Sequence, residues 1–298
     1  MATMVRFVLC GYWAVCNLTV TVFLLAYASK STFSHLLVFR ELTEYGKLTI
    51  SPSSTSRKTN QNLLFRLPRV PKRWFRHFYA SGIVYCIVIL GALTRDIWLN
   101  KGGVSTQECT RLLALMLLLV QVMRRFLETS FVSVFSDSTM SLAHYVLGIT
   151  FYLSTALTVA TGSWNTDKEV TKLSAKDYCF RDLCWYQFAG VVLFIWASYH
   201  QYKTACILAN LRRVSSEKHK YAIPQGDWFQ YVSCPHYLQE ILIYLGLLLV
   251  LGARDWMQFC QLFFVVTNQT LCAIQSHHWY ANVMSRLPAK YCIIPWLL

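Results

Sequence analysis

The chain has 298 residues, of which 55% are hydrophobic and only 14% charged, with a formal net charge of +14. A soluble domain carries roughly a quarter charged residues, so this chain lacks the polar surface to coat a soluble particle of its length. Nucleic-acid binding is disfavoured as well, because the basic residues sit at the ends of long apolar blocks, as they do in the cytosolic loops of membrane proteins.

About 20 apolar residues cross the hydrocarbon slab, and seven candidate spans follow one another at roughly residues 7–28, 78–94, 110–123, 141–160, 186–209, 237–252 and 256–275. The start, Met1 to Lys30, has the look of a signal peptide. Its apolar stretch from about Phe7 to Ala28 is too long for a signal core and offers no small-residue cleavage site, so it reads as a retained first span. The loop over 29–77 is strongly basic, with Arg57, Lys58, Arg66, Arg69, Lys72, Arg73 and Arg76. Its Ser-rich stretch Ser51 to Asn60 is expected to be a solvated cytosolic loop. The third span is short unless it continues past Arg124 and Arg125 to Phe126 and Phe131. Between the sixth and seventh, Ala253-Arg254-Asp255 predicts a tight helical hairpin.

Basic loops (29–77, the start of the third-to-fourth loop, Arg212 to Lys220, and the tail with Arg286 and Lys290) alternate with loops of mixed charge. That alternation predicts a cytosolic C-terminus and an N-terminus facing the lumen or exterior. The expectation is an all-α, multi-span integral membrane protein, one membrane domain over 1–298 with no internal repeat. The sequons Asn17-Leu18-Thr19 and Asn268-Gln269-Thr270 lie inside spans, out of reach of the glycosylating enzyme. Of eleven cysteines, Cys10, Cys16, Cys86, Cys206 and Cys272 sit in apolar blocks and read as core packing. There is no CxxC pair and no zinc-ligand spacing. Cys179 and Cys184 share a polar loop whose spacing admits a local disulfide between them.

The stretch from Phe194 to Tyr244 is the richest in chemistry. His200, Gln201, Tyr202 and Lys203 interrupt an apolar run, and ionisable groups at membrane depth usually face a cavity or a ligand; the alternative is that they snorkel to the interface. Arg212 and Arg213 suit phosphate through the planar guanidinium fork, or are an ordinary positive-inside pair. Tyr221 to Phe229 holds a Pro-x-Gly turn flanked by aromatics, fit for an interfacial segment or for stacking on a nucleotide ring. Tyr231, Ser233, His236, Tyr237 and Glu240 follow around the start of the sixth span, where a helix N-terminus can hold an anion or polar ring. Glu240 just inside an apolar span is costly unless paired.

Three smaller clusters add to this. Ser276-His277-His278-Trp279-Tyr280 is placed after the last span; His277 and Tyr280 share a helical face, whereas adjacent histidines make a poor metal pair, so interfacial packing competes with cofactor contact. Arg124 and Glu128 are spaced to pair, which leaves Arg124, Arg125 and Glu128 either a structural ion cluster or part of a substrate cavity. Glu41 and Tyr45, in Phe39 to Lys47, share a face just after the first span. No GxGxxG or GxxxxGK[ST] unit is present, so a nucleotide would be held some other way, and no HExxH or Ser-His-Asp motif supports hydrolysis.

The Phe194–Tyr244 block, the QxxRRxxE run (Gln121–Glu128) and the His-x-x-Tyr tail (His277–Tyr280) together resemble the steroid 5α-reductase family. FIW-x-S-x-HQYK (Phe194–Lys203), IL-x-NLR (Ile207–Arg212), IP-x-GDWF-x-YVS-x-P-x-YL-x-E (Ile223–Glu240), VPKR-x-F-x-HFY (Val70–Tyr79) and IPWLL (Ile294–Leu298) resemble its polyprenol reductase branch. The resemblance covers most of the chain from about Phe39 onward. It implies an endoplasmic-reticulum enzyme with seven helices around a lipid-accessible cavity. NADPH would lie on the cytosolic side, gripped by helices and loops of 186–298. Carried over residue by residue, cofactor contacts fall near Gln201, Arg212, Tyr221, Tyr231, His236, Glu240, His277 and Tyr280; Lys203, Ser233 and Tyr237, polar neighbours of these, are expected to join them. Glu41 matches the carboxylate that faces the substrate carbonyl in steroid-reducing relatives, with Tyr45 beside it.

The chain departs from the family in places. His236 stands where relatives have Asn, Cys272 where steroid-reducing relatives have Arg, and Asp227 where they have Gly. The tail lacks the usual basic YPK-x-RKA run. The resemblance implies NADPH-dependent reduction of the α-isoprene double bond of a polyprenoid lipid, supplying dolichol for N-glycosylation, with no metal and with neither nucleic acid nor an obligate protein as partner. A trans-2-enoyl-CoA reductase, a 3-oxo-Δ4 steroid reductase, an isoprenylcysteine methyltransferase-like enzyme and a transporter are the competing readings.

Overall fold

The structure, a computed structural model, describes residues 2–29, 68–99, 104–135, 138–162, 172–173, 184–214, 223–284 and 291–294. Glu41, Tyr45, Tyr221, Cys179 and the Ser-rich stretch lie outside the described residues. Seven α-helices of 16 residues or more make up most of the described chain: α1 (Ala2–Ala28), α2 (Phe75–Leu99), α3 (Thr106–Leu127), α4 (Leu142–Thr161), α5 (Trp185–Val214), α6 (Pro235–Val250) and α7 (Trp256–Met284). Each covers one predicted span. Four of them, α1, α2, α4 and α7, are long and apolar enough to cross a bilayer; α6 is apolar but has only 16 residues. The chain is an all-α, multi-pass membrane protein. Large apolar side chains point outward all along these helices, among them Leu18, Val88, Phe188 and Phe263, the reverse of a soluble surface.

The helices run further than the apolar blocks that announced them. Polarity marks where a helix leaves lipid, not where its backbone hydrogen bonding stops. Helix α7 therefore continues to Met284 and carries Ser276 to Tyr280 inside it, not beyond the last span. Helix α3 passes through Arg124 and Arg125 and then widens into a π-helical turn, Glu128–Val132. A capping box starts α3, in which Ser105 Oγ accepts from the Glu108 N–H and the Glu108 carboxylate accepts from the Ser105 N–H.

Two short antiparallel strand pairs accompany the helices. β1 (Arg69–Pro71) pairs with β3 (Thr139–Ser141), in register Arg69 to Ser141, and β2 (Val104–Ser105) pairs with β4 (Lys172–Leu173). The first pair joins the segments that open α2 and α4. The core is continuous from α1 to α7. Trp13 is fully buried and donates its indole N–H to Thr158 Oγ1 at 2.9 Å, and its ring meets Phe151 and Phe264. At the far end of α1, Arg6 pairs with Asp255 at 2.8 Å and donates to the Thr161 carbonyl at 2.6 Å, tying three helix ends together.

Helices α5 and α6 cross at Gly190 and Gly246. A Cβ on Gly190 would lie 2.7 Å from the Gly246 carbonyl oxygen, and one on Gly246 would lie 2.8 Å from that of Gly190. Small residues that let membrane helices approach backbone to backbone are a usual device for packing without a hydrophobic driving force. The reversal between α6 and α7 takes Leu251 to Asp255, longer than the three-residue corner expected, because the backbone enters the left-handed region at Gly252 (φ 79°) and Ala253 (φ 51°). Holding a non-glycine residue there costs about 1 kcal/mol or more. Ala253→Gly is accordingly expected to stabilise the protein by about 1 kcal/mol, read as a rise in thermal unfolding temperature in detergent. The same change at Asp227 (φ 47°) should bring no gain, because that residue's side chain is bonded to His200.

Candidate active site

A cavity of about 370 Å³ lies among α1, α2, α4, α5, α6 and α7, with Arg125 of α3 reaching its edge, within the size range of small-molecule sites. One part of its wall is apolar, built from Val20, Phe23, Phe75, Phe78, Phe151 and Phe264. The other end is polar: Tyr79, Arg125, Tyr152, Gln201, His236 and Glu240 meet there. Val15 and Thr19 on α1 and Ala143 and Leu147 on α4 line the cavity and are also exposed. The cavity thus opens sideways between α1 and α4, toward the flank from which apolar side chains project.

The polar end is one connected network. Gln201 Nε2 donates to Glu240 Oε2 at 2.5 Å and to the His236 carbonyl at 3.3 Å. Gln121 Nε2 donates to Gln201 Oε1 at 3.3 Å and to Glu240 Oε2 at 3.4 Å. Arg124 donates to Gln121 Oε1 at 2.6 Å and also to Gln201 Oε1 and Glu128. Arg125 pairs with Glu128 and donates to Tyr79 Oη at 3.1 Å, with its guanidinium 5.3 Å from the Tyr79 ring centre. Two arginines and two carboxylates balance in charge, which is what lets them sit among apolar helices. Both hydrogen bonds to Glu240 fall on Oε2, so the face of the carboxylate turned to the cavity keeps acceptor capacity.

The residues anticipated from sequence divide into three groups. Gln201, His236, Tyr237 and Glu240 line the cavity together with Arg125, while Arg124 and Glu128 stand behind Arg125 and hold it. A second group sits past the N-terminal end of α6. Ser233 Oγ and His277 Nδ1 are 3.0 Å apart, His278 Nδ1 and the Tyr27 hydroxyl are 2.8 Å apart, and Tyr280 is buried with Trp279, Cys234, Cys292 and Ile293. The two histidines therefore serve different neighbours. Burial pushes the Cys292 thiol up to about 12, which makes it an inert packing group. Among the described residues no three His, Cys, Asp or Glu side chains gather as metal ligands.

The third group lies on the outer face of α5. His200 Nδ1 is 3.0 Å from Asp227 Oδ1, and Lys203 Nζ is 4.0 Å from the same oxygen and 5.0 Å from the Tyr199 ring centre. Lys203 is thus turned outward, the snorkelling arrangement, and does not line the cavity. Trp196, His200, Trp228 and Tyr231 form an aromatic edge beside it. Arg212 donates to the Val134 carbonyl, and Arg213 to that of Val132 at 3.2 Å, closing the π-helical turn against α5. Cys184 carries a free thiol.

Sequence reasoning gave no site role to Tyr79, Tyr152, Tyr244, Asn268 and Gln269, and took Gln121 only as the start of the cluster that holds Arg124, Arg125 and Glu128. A signal was available for Gln121, since 121, 124 or 125, and 128 place polar groups on one helical face. The tyrosines carry no such mark, because a tyrosine in an apolar run reads as core.

Fold and cavity define a multi-helix membrane protein built around an internal site that is polar at one end and open to the side. A family model described as 3-oxo-5-alpha-steroid 4-dehydrogenase matches residues 138–298. The chain is 32% identical over 282 residues to a polyprenal reductase of Xenopus tropicalis, covering 87% of this chain and 88% of the relative. It is 34% identical over 282 residues to one of Caenorhabditis elegans (86% of each chain), and 30% identical over 284 residues to one of Homo sapiens (87% of this chain, 86% of the relative). The chain belongs to the steroid 5α-reductase family of membrane oxidoreductases, in its polyprenol reductase branch.

Proposed function

We propose that this protein reduces the α-isoprene double bond of a polyprenoid lipid with NADPH as the reductant, in the endoplasmic-reticulum membrane, supplying dolichol for protein N-glycosylation. The observation that carries the reading is the cavity: a greasy channel open to the side that ends on Gln201, His236, Glu240 and Arg125. Its shape suits a lipid whose reactive head enters while its tail stays among acyl chains. All seven helices cross the membrane in this reading, with the C-terminus in the cytosol, as the alternation of basic loops requires.

The donor set suits a nicotinamide nucleotide. Glu240, with acceptor capacity turned to the cavity, and Gln201, with a carboxamide, match the amide and hydroxyl groups of such a ligand. Gln201, His236, Tyr237 and Glu240 would hold its reactive end. Ser233, His277 and Tyr280, with Arg212, Tyr231 and Lys203 further out, would serve the rest, and Tyr221 would join them. When bound, the nucleotide supplies hydride.

The chemistry favours an aldehyde substrate. The alkene of an allylic alcohol is not electrophilic, whereas that of an α,β-unsaturated aldehyde accepts hydride at its β-carbon. Polyprenal then gives dolichal, with a proton added at the α-carbon. The carbonyl oxygen gains negative charge on the way and needs a hydrogen-bond donor. Glu41, protonated in an apolar setting, or Tyr45 would supply one.

The test is to give purified protein NADPH with either polyprenal or polyprenol and to follow nucleotide oxidation and lipid product. Turnover of the aldehyde alone is the expected result; turnover of the alcohol alone would defeat the aldehyde assignment, and turnover of neither would defeat the reductase reading. Glu41→Gln should lower turnover of polyprenal by about 100-fold while NADPH affinity stays within twofold. Unchanged turnover would remove Glu41 from the mechanism.

A further inference from the structure

We propose that Asn268 and Gln269 of α7, with the hydroxyl of Tyr244 on α6, bind the oxygen atom of the lipid substrate and so select lipids that carry one. This deepens the reading above and rests on it.

The starting point is a place where polar groups have no business being. Residues 264, 265, 268, 269, 271 and 272 of α7 all line the cavity. Four of them (Phe264, Val265, Leu271 and Cys272) are apolar or behave as small hydrophobes, as the wall of a lipid site should be. Asn268 and Gln269 are not. A carboxamide at membrane depth is costly unless its hydrogen bonds are met. Gln239, Gln258 and Gln275 each leave one buried carboxamide atom without a partner among the described residues, but none of the three lines the cavity. Thr267, next door, donates to the Phe263 carbonyl at 2.8 Å. Asn17, on the facing helix, donates to the Cys260 carbonyl at 3.0 Å, while its Oδ1 has no partner among the described residues. No hydrogen bond joins the Asn268 or Gln269 side chain to any described residue, and both face the cavity.

Tyr244 gives the second, independent observation. It lines the same cavity, it is 3% exposed, and its hydroxyl has no hydrogen-bond partner among the described residues. A buried hydroxyl left without a partner costs free energy that a ligand oxygen would recover. Tyr244 stands four residues after Glu240, one turn along the same face of α6.

The depths agree as well. Helices α6 and α7 run antiparallel, with Ser233 beside His277 and the Cys234 thiol beside the Ala273 carbonyl. Carried inward in that register, Glu240 comes level with Thr267 and Asn268, and Tyr244 about one turn deeper, near Phe264. Asn268 and Gln269 thus line the cavity near the level of Glu240 on the neighbouring helix, and Tyr244 lines it one turn deeper on the same helix as Glu240. Two carboxamides and a phenol line the volume that the head of the lipid would occupy. Alongside Glu41 or Tyr45, these groups would add donors to the carbonyl oxygen as hydride reaches the β-carbon and the oxygen takes up charge. The proton for the α-carbon comes from elsewhere, so each group need only donate a hydrogen bond.

The test compares wild type with Tyr244→Phe, Asn268→Leu, Gln269→Leu and the double leucine variant. Leucine removes a polar group from a membrane helix and phenylalanine keeps the ring of tyrosine, so folding should be preserved; NADPH affinity within twofold of wild type serves as the check. Two quantities are read. The first, taken without nucleotide, is the preference of the full-length protein in detergent for a polyprenol over a hydrocarbon polyisoprene of equal length that lacks oxygen, in competition against a labelled polyprenol. The second is turnover of polyprenal.

We expect each single substitution to reduce the preference about 3- to 10-fold, the worth of one neutral hydrogen bond, and the double variant to abolish it. Turnover should fall by about 100-fold where an oxyanion donor is lost. A double variant that keeps the preference within threefold overturns the proposal, as does a loss of turnover accompanied by loss of NADPH affinity, which would make the residues structural. If wild type itself turns over no polyprenal, it is the reductase reading that fails. The binding preference would then still report whether these residues grip an oxygen.

Discussion

Glu128→Leu is expected to cost on the order of 3–5 kcal/mol of stability, the usual penalty for removing one partner from a buried ion cluster. Glu128 is 1% exposed and pairs with both Arg124 and Arg125. Without it, two guanidinium groups stay among apolar helices with Glu240 as the nearest counter-charge, reached only through Gln121 and Gln201. The measurement is the thermal unfolding temperature in detergent. A triple variant with Arg124→Met, Arg125→Met and Glu128→Leu separates charge balance from function, since replacing a whole buried cluster by apolar residues is often neutral or stabilising. The triple variant should regain most of the lost stability and still be inactive, because Arg125 no longer reaches the cavity. A single variant within 1 kcal/mol of wild type would show that Glu128 does not carry the charge balance described above.

Gly246→Val should be nearly as damaging, by a different route. Its Cβ would stand 2.8 Å from the Gly190 carbonyl oxygen and 3.2 Å from Phe194 Cβ. Backbone cannot swing aside as a flexible side chain can, so α5 and α6 must separate. Overpacking of this kind costs about 1–3 kcal/mol. The larger effect should be on turnover. Gln201 is on α5 and Glu240 on α6, bonded at 2.5 Å, and a displacement near 1 Å in a reacting site can cost about 100-fold in rate. Gly11→Val is the control, because a Cβ there meets nothing within 4 Å, and it should leave stability and turnover close to wild type.

How much of this was legible in the sequence follows from which forces act locally. Apolar run length is a local property, and it located each of the seven helices, though not their ends. Helix α3 runs on because Glu128 neutralises Arg124 and Arg125 one turn later, and α7 runs on because nothing interrupts its hydrogen bonding before Met284. The strand pairs left no signature, since two or three residues of β1 and β3 are held by a partner about 70 positions away. Within the site, Gln201 and Glu240 announced themselves as polar residues in apolar surroundings, and they do meet. Lys203, equally conspicuous, faces the other way, because the two-residue step from Gln201 turns a helix by about 200° and its long stem lets the charge reach the edge. Asn268 and Gln269 read as an unusable sequon, and only the assembled helices reveal what surrounds them.

The pairing of β1 with β3 has a mechanical consequence. Lys72 N–H donates to the Ser138 carbonyl at 2.9 Å and Leu142 N–H to that of Pro68 at 2.7 Å, so the entries to α2 and α4 are laced together. A slip of a single position would turn every strand side chain to the opposite face. Neither helix can therefore piston along its axis past the other, and Tyr79 on the one stays level with Tyr152 on the other, their rings 5.5 Å apart. The height of the reaction chamber is thus set by stitches lying outside the helical bundle, leaving the packing within it free to be loose enough for a lipid.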